Sequence, residues 1–520
     1  EKLEKLQQKF RDSPDIALRY AMILFILSTK QIELEELETT VEKLEKLQQK
    51  FRDSPDIALR YAMILFILST KQIELEELET TVEKLEKLQQ KFRDSPDIAL
   101  HYAITLLILS NKQTELKEIE ATAEKLENLQ QKFQDSHDIA LRYARILFTL
   151  STKQTVLKEL ETTAKKLEKL QQKFQDSHDI ALQYAMVLFN LSTEKTELKK
   201  LETTAEKLRV LQQKFLESHD IALRYARALV NLSARQTKAE QIAETTQKIQ
   251  GIYEKFNEPQ DFALYYAMAL SNLSREQTNL DKLNNIASKL KKIAYNFEKD
   301  EDITLCYAEA LAKIITKQQN EDEKLEIIDK LKRLHNRFVQ SEEITVQYLT
   351  ARMDLVKNNQ IDQSNLLNDI YQSLESISSI KILNMLIEIL ENEEQFKQDQ
   401  VQISTTNIVK ALDKLCFDSS IEEGKDEKEK NLLIRTLKLG IISDTKYDIL
   451  KAWIEHYGED SKKINKLIKI YTLVQQIKYE LGLKAEDKNR KLKFGHYTSG
   501  KALQSILGKE DKAPFSISGK

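Results

Sequence analysis

Glycine and proline are scarce: the 520 residues include 9 Gly and 5 Pro. Tight turns need these residues, so an all-β domain is excluded for most of the chain, as are collagen-like and low-complexity classes. The two cysteines, Cys306 and Cys416, are too few for a disulfide framework and fit a reducing compartment, so a cytoplasmic location is expected. No charge of one sign dominates. Against 80 basic residues stand 83 acidic ones, a net charge of -3. That balance gives nucleic acid or an anionic membrane no electrostatic attraction as main partner. The longest apolar runs, such as Tyr20 to Leu27, fall far below the ~18 residues of a membrane span.

What is present is the stuff of long helices: Lys, Glu, Leu and Gln, with 31% charged and 41% hydrophobic residues. They recur with a period of 41. Phe10, Phe51, Phe92, Phe133, Phe174, Phe215, Phe256, Phe297 and Phe338 are each 41 residues apart, and so are nine tyrosines from Tyr20 to Tyr348. Residues 1–41 and 42–82 are identical, which points to recent duplication, because structure alone does not fix surface residues.

One unit reads as two helices. Ser54 is a natural N-cap, Pro55 takes the first helical position, and Asp56 sits at the positive end of the dipole. The spacing predicts a first helix to about Thr70, with Ala58, Tyr61, Ala62, Leu65 and Leu68 on one face. After the turn Thr70-Lys71-Gln72, a second helix is predicted from about Glu74 to Phe92, buried through Leu75, Leu78, Val82, Leu85 and Leu88. Neither helix can bury its stripe alone, so neighbouring units must stack. At ~8–10 Å per packed helix, nine units would make a superhelix on the order of 90 Å long with a concave face.

The unit resembles the tetratricopeptide class of helical repeats over roughly residues 1–378. The resemblance rests on the helix–turn–helix unit and the Ala-Leu-x-Tyr-Ala-x-x-Leu run, such as Ala222 to Leu229. The period is 41 rather than about 34, and the usual Trp and Leu-Gly pair are missing, so armadillo or HEAT-type units stay open. The expected fold class is all-α, an α-solenoid of about nine 41-residue helix–turn–helix repeats. Residues 379–490 read as a non-repetitive helical cap or linker.

Glycine usage changes near residue 491. Gly251 alone precedes residue 424, whereas Gly495, Gly500, Gly508 and Gly519 crowd the end. Residues 491–520 therefore read as the truncated start of a second, α/β or α+β, domain, with the chain cut at both ends. His496, Tyr497, Thr498 and Ser499, then Ile506 and Leu507, resemble the opening of the bacterial domain-of-unknown-function family numbered 2971. They are also similar to the first strand and helix of ADP-ribosyltransferase-like folds. That resemblance implies that His496 would contact the ribose of NAD and that any acidic catalytic residue would lie beyond Lys520. The solenoid would then be the sensor or targeting arm of a larger enzyme or effector.

Other candidate chemistry fails on residue type or spacing. Gly495-x-x-x-x-Gly500-Lys501 imitates a phosphate-binding loop, but Ala502 stands where Mg²⁺ needs Ser or Thr. His137, His178 and His219 replace Pro14, Pro55 and Pro96 at helix starts, about 10 Å apart by the repeat, too far to share a metal at ~2.0–2.1 Å. His335 and His456 lack ligand partners and are expected on the surface. Cys306 has no base near it in the pattern. The acidic strings, such as Glu74 to Glu79, are expected on the solvated side of the second helix. No cofactor, no metal and no catalytic residue is expected in the chain as given.

A varied stripe is more informative. On the first helix, positions equivalent to 19, 22 and 26 share a face. Along the chain it reads Arg142, Arg145 and Thr149, then Gln183, Met186 and Asn190, then Arg224, Arg227 and Asn231, then Tyr265, Met268 and Asn272. Tetratricopeptide-like proteins line their concave groove with the first helix, so the resemblance implies a groove for a protein or peptide partner. Arg can pair with carboxylates and Asn can bond a peptide backbone. The same residues suit partial packing against the next unit equally well. The expectation is a monomeric protein-interaction scaffold.

Overall fold

A computed structural model describes residues 12–392 except 32, 195–196, 258, 358–362 and 378, together with residues 5 and 9. Among the described residues every regular element is an α-helix. The chain forms two compact units, Glu1–Glu276 and Gln277–Lys520.

In the first unit, first and second helices alternate. The first helices are α1 (Pro14–Ser28), α3 (Pro55–Lys71), α5 (Pro96–Lys112), α7 (His137–Ser151), α9 (His178–Glu194), α11 (His219–Ser233) and α13 (Gln260–Glu276). Between them lie α2 (Leu34–Lys50), α4 (Leu75–Lys91), α6 (Leu116–Lys132), α8 (Leu157–Lys173), α10 (Leu198–Lys214) and α12 (Ala239–Lys255). The described part of the second unit continues with α14 (Leu280–Asn296), α15 (Glu301–Ile315), α16 (Glu321–Arg337), α17 (Glu342–Lys357), α18 (Gln363–Ser376) and α19 (Ile380–Asn392). This is a tandem helical repeat, as the period requires.

The boundaries have local causes. Each second helix ends at the periodic Phe: Phe92 leaves the helix at φ -102°, ψ 58°, and its carbonyl accepts from the Ser95 amide at 3.1 Å. The Ser95 hydroxyl then caps the next helix by accepting from Ile98 N at 3.4 Å, and Pro96 needs no partner for a missing N–H. Ser54, Ser136 and Ser218 cap in the same way.

Within the first unit, successive first helices pack directly on one another, and each second helix rests on the first helices before and after it. The close layer depends on small residues. Ala21, Ala62, Ala103, Ala144, Ala185, Ala226 and Ala267 are all fully buried, one per unit, where a larger side chain would hold the backbones apart. Leu65, Leu68, Leu78, Leu85 and their equivalents fill the space between the layers, each worth about 1.5–3 kcal/mol of burial.

Polar ladders then join each unit to the one before. Lys84 meets Glu45 at 2.8 Å, Lys125 meets Glu86 at 2.7 Å, Lys166 meets Glu127 at 2.6 Å and Lys207 meets Glu168 at 2.8 Å. Thr81 donates to Gln72 at 2.9 Å inside its own unit, fixing the turn between the two helices. The ion pairs are about one-third exposed, so each contributes at most ~1 kcal/mol; their value is in holding register.

Candidate functional site: the face of the first helices

The varied stripe lies on first helices of the first unit, and the structure gives it a bed of aromatic rings. Phe189 on α9 lies under two guanidiniums of α11: Arg227 is 4.6 Å and Arg224 5.8 Å from its ring centre. Arg227 is also 5.6 Å from Tyr265 on α13, so it sits between rings of the units before and after it. The same contact appears earlier, where Arg60 lies 5.6 Å from Phe25 and His101 5.6 Å from Phe66. Arg60 and His101 hold the stripe position equivalent to 19, whereas the phenylalanines lie outside the stripe. Their signal is there, since Phe25, Phe66, Phe148 and Phe189 keep the 41-residue register.

The arginines are held without ion pairs. Arg142 and Arg224 are half-buried, and the Nε of each is enclosed with no hydrogen-bond partner. Burial lowers the pKa of both, and the neighbouring Arg145 and Arg227 add to the effect; Asp138, Asp179 and Asp220 oppose it. Guanidinium nonetheless remains charged. Arg145 is exposed and Arg227 half-buried. Two arginine pairs, each with one half-buried Nε-enclosed member, thus stand two units apart, with Gln183 and Met186 between them.

The asparagines have an intramolecular use. Asn190 donates its side-chain amide to Ser151 at 3.1 Å, Asn231 to Ser192 at 3.1 Å, and Asn272 to Ser233 at 2.9 Å. Thr149 donates to the Arg145 carbonyl of its own helix. Tyr265 is half-buried and Met268 exposed.

Other singled-out residues fall as follows. His137 and His178 bond the cap residues Ser177 and Ser218 of the next unit at 2.7 Å and pack edge-on against Phe174 and Phe215. They are inter-unit struts. Among the described residues no group of three or more His, Cys, Asp or Glu is placed to hold a metal ion, and no helix is long and apolar enough to cross a membrane. The acidic Glu74, Glu76, Glu77 and Glu79 are exposed. Cys306 is a buried cysteine in no disulfide on α15, at the stripe position equivalent to 19. His335 departs from expectation. It is half-buried, not on the surface, stacked 5.3 Å from Tyr348 with its Nδ1 2.9 Å from the Thr345 hydroxyl, because α16 turns it towards α17. Cys416, His456, Gly495, Gly500, Lys501 and His496, and with them the segment 491–520, lie outside the described residues.

No protein-family model matches the chain, and no curated protein matches it. Among matching solved structures is a chain described under "Computational Design of Self-Assembling Cyclic Protein Homooligomers". It is 15% identical over 66% of this chain and 99% of that one, with a TM-score of 0.08, too low to bear on fold or function.

Proposed function

We propose that the chain is a cytoplasmic protein-interaction scaffold of the tetratricopeptide-like class, whose first-helix face binds an extended, acidic segment of a partner protein. It acts as a monomer and by binding, with no catalytic step. The observation that carries the reading is the two arginine sets, Arg142/Arg145 and Arg224/Arg227, of which Arg142, Arg224 and Arg227 are half-buried, the second set seated on Phe189. A carboxylate arriving there finds donors already desolvated and held in place, which favours binding over solvation.

Spacing makes the reading specific. Two helix steps of ~8–10 Å separate the two sets. An extended chain advances ~3.3 Å per residue, so matching carboxylates would stand about five or six residues apart.

Fluorescently labelled synthetic peptides with two acidic pairs at that spacing test it by anisotropy. Binding is expected to weaken about tenfold or more in Arg224→Gln/Arg227→Gln and to fall with added salt. Equal binding of a charge-reversed basic peptide, or unchanged affinity in the double variant, would remove the acidic-groove assignment.

A further inference from the structure

The ion-pair ladder on the second helices stops at one unit. Four times running, a carboxylate (Glu45, Glu86, Glu127, Glu168) takes the ammonium of the next unit's Lys and lies against a tyrosine phenol. The hydroxyls of Tyr61, Tyr102, Tyr143 and Tyr184 are buried there. None closes a hydrogen bond of normal geometry, yet burial first and the neighbouring carboxylate second push each phenol pKa strongly up.

By the 41-residue register the fifth carboxylate belongs at residue 209, and residue 209 is Arg. Arg209 turns away along its own helix and grips Glu206 at 2.6 and 2.7 Å. Lys248, the equivalent of Lys84, keeps its place and lines the cavity; with no carboxylate at 209, the acid whose charge it feels is Glu206, which Arg209 already holds. Tyr225 keeps its place too. It is 4% exposed. Its pKa is pushed up to about 12, less than in the other four, because Arg209 now opposes the effect of burial.

A cavity of about 330 Å³ lies beside Tyr225 and Lys248, and a smaller one of about 200 Å³ lies at the corresponding place one unit earlier, where Glu168 still holds Lys207. Ala205, Leu229 and Leu232 make its apolar floor, and Tyr225 and Lys248 face it from two helices. Glu202, Glu206 and Glu244 also line it. They do not bar an anion. Glu38 and Glu42 hold the places of Glu202 and Glu206 around the Lys84–Glu45 pair, where a carboxylate is bound all the same; Glu244 stands on the exposed side, where that unit has Thr80. Here the positive Arg209 stands near in addition.

We infer that this cavity between α10 and α12 is a binding site for an aliphatic carboxylate, which takes the place of the missing glutamate between Lys248 and Tyr225. The ligand's carboxylate accepts from the Lys248 ammonium and the Tyr225 hydroxyl, and its hydrocarbon part covers Ala205, Leu229 and Leu232. The site is separate from the arginine face and does not depend on the reading of that face.

The test uses the full chain and three probes: 4-methylpentanoate, its neutral amide, and N-acetyl-leucyl-glutamate amide, which presents the carboxylate as a side chain. Saturation-transfer NMR and calorimetry read binding. The expected result is that at least one carboxylate binds and the neutral amide does not; the tighter of the two identifies a free acid or a partner's glutamate as the natural source. Lys248→Gln is expected to weaken binding about tenfold. Arg209→Glu restores the sequence of the neighbouring units, so it should fold, and it should abolish binding by supplying the carboxylate internally. Arg209→Gln leaves the cavity open and should keep it. Binding of neither carboxylate, equal binding of acid and amide, or unchanged binding in Arg209→Glu would overturn the inference.

Discussion

Asn231 donates its side-chain amide to the Ser192 hydroxyl one unit earlier, at 3.1 Å, and so ties α11 to α9. This bond spends the group that a peptide backbone would have used. Replacing Asn231 with Leu should therefore loosen the joint, by roughly 1 kcal/mol for a lost internal hydrogen bond. Hydrogen exchange of the α9 and α11 amides reads it, and affinity for an acidic peptide should hardly move. Peptide affinity that collapses while exchange is unchanged would return Asn231 to the binding face.

The buried alanine column sets how near the first helices approach. Ala144→Leu adds bulk where no surface is free, and overpacking of that kind costs about 1–3 kcal/mol. Urea unfolding followed by helicity should show an earlier transition than wild type. An unmoved transition would mean that the layer is not close-packed at α7.

His335 gives the second unit a dependence on acid. Burial, and then Lys332, lowers its pKa from the ordinary 6.5. The folded state thus holds the neutral ring, and the unfolded chain binds a proton more readily. The stabilisation from the neutral ring is fully present above 6.5 and is lost as pH falls below it towards the folded-state pKa. Protection factors of the α16 and α17 amides, which remove the intrinsic pH dependence of exchange, should fall between about pH 7.5 and pH 5 more than in His335→Phe, which keeps the stacking on Tyr348 but cannot titrate. An equal fall in both proteins would place the effect elsewhere.

Much of this architecture is written in local spacing. Pro55 at the helix start, Ser54 before it and Phe92 at the end each act within a few residues, so the sequence places α3 and α4 to within a residue or two. The packing face is equally legible, because Ala58, Tyr61, Ala62, Leu65 and Leu68 are apolar at helical intervals and all buried. What joins the units is harder to read. The Lys84–Glu45 pair spans 39 residues, and nothing in a helical wheel says which of many lysines and glutamates will meet. Likewise Asn231 looks like a free polar residue until Ser192 is placed beside it, and His335 looks exposed until α17 covers it. The aromatic bed under Arg224 lies in the preceding helix, so inspection of one helix at a time passes over it.

The inter-unit bonds described above reach back 38 to 40 residues, from Lys91 to Asp53, from Lys84 to Glu45 and from Lys112 to the Gln72 carbonyl. A gain or loss of one whole 41-residue block leaves every such bond with an equivalent partner, whereas a change of a single residue in length puts the bonds that span it out of register. Unequal recombination between the identical blocks 1–41 and 42–82 would thus yield longer or shorter proteins that still fold. The length of the first unit is free to vary between copies of the gene while its cross-section stays fixed.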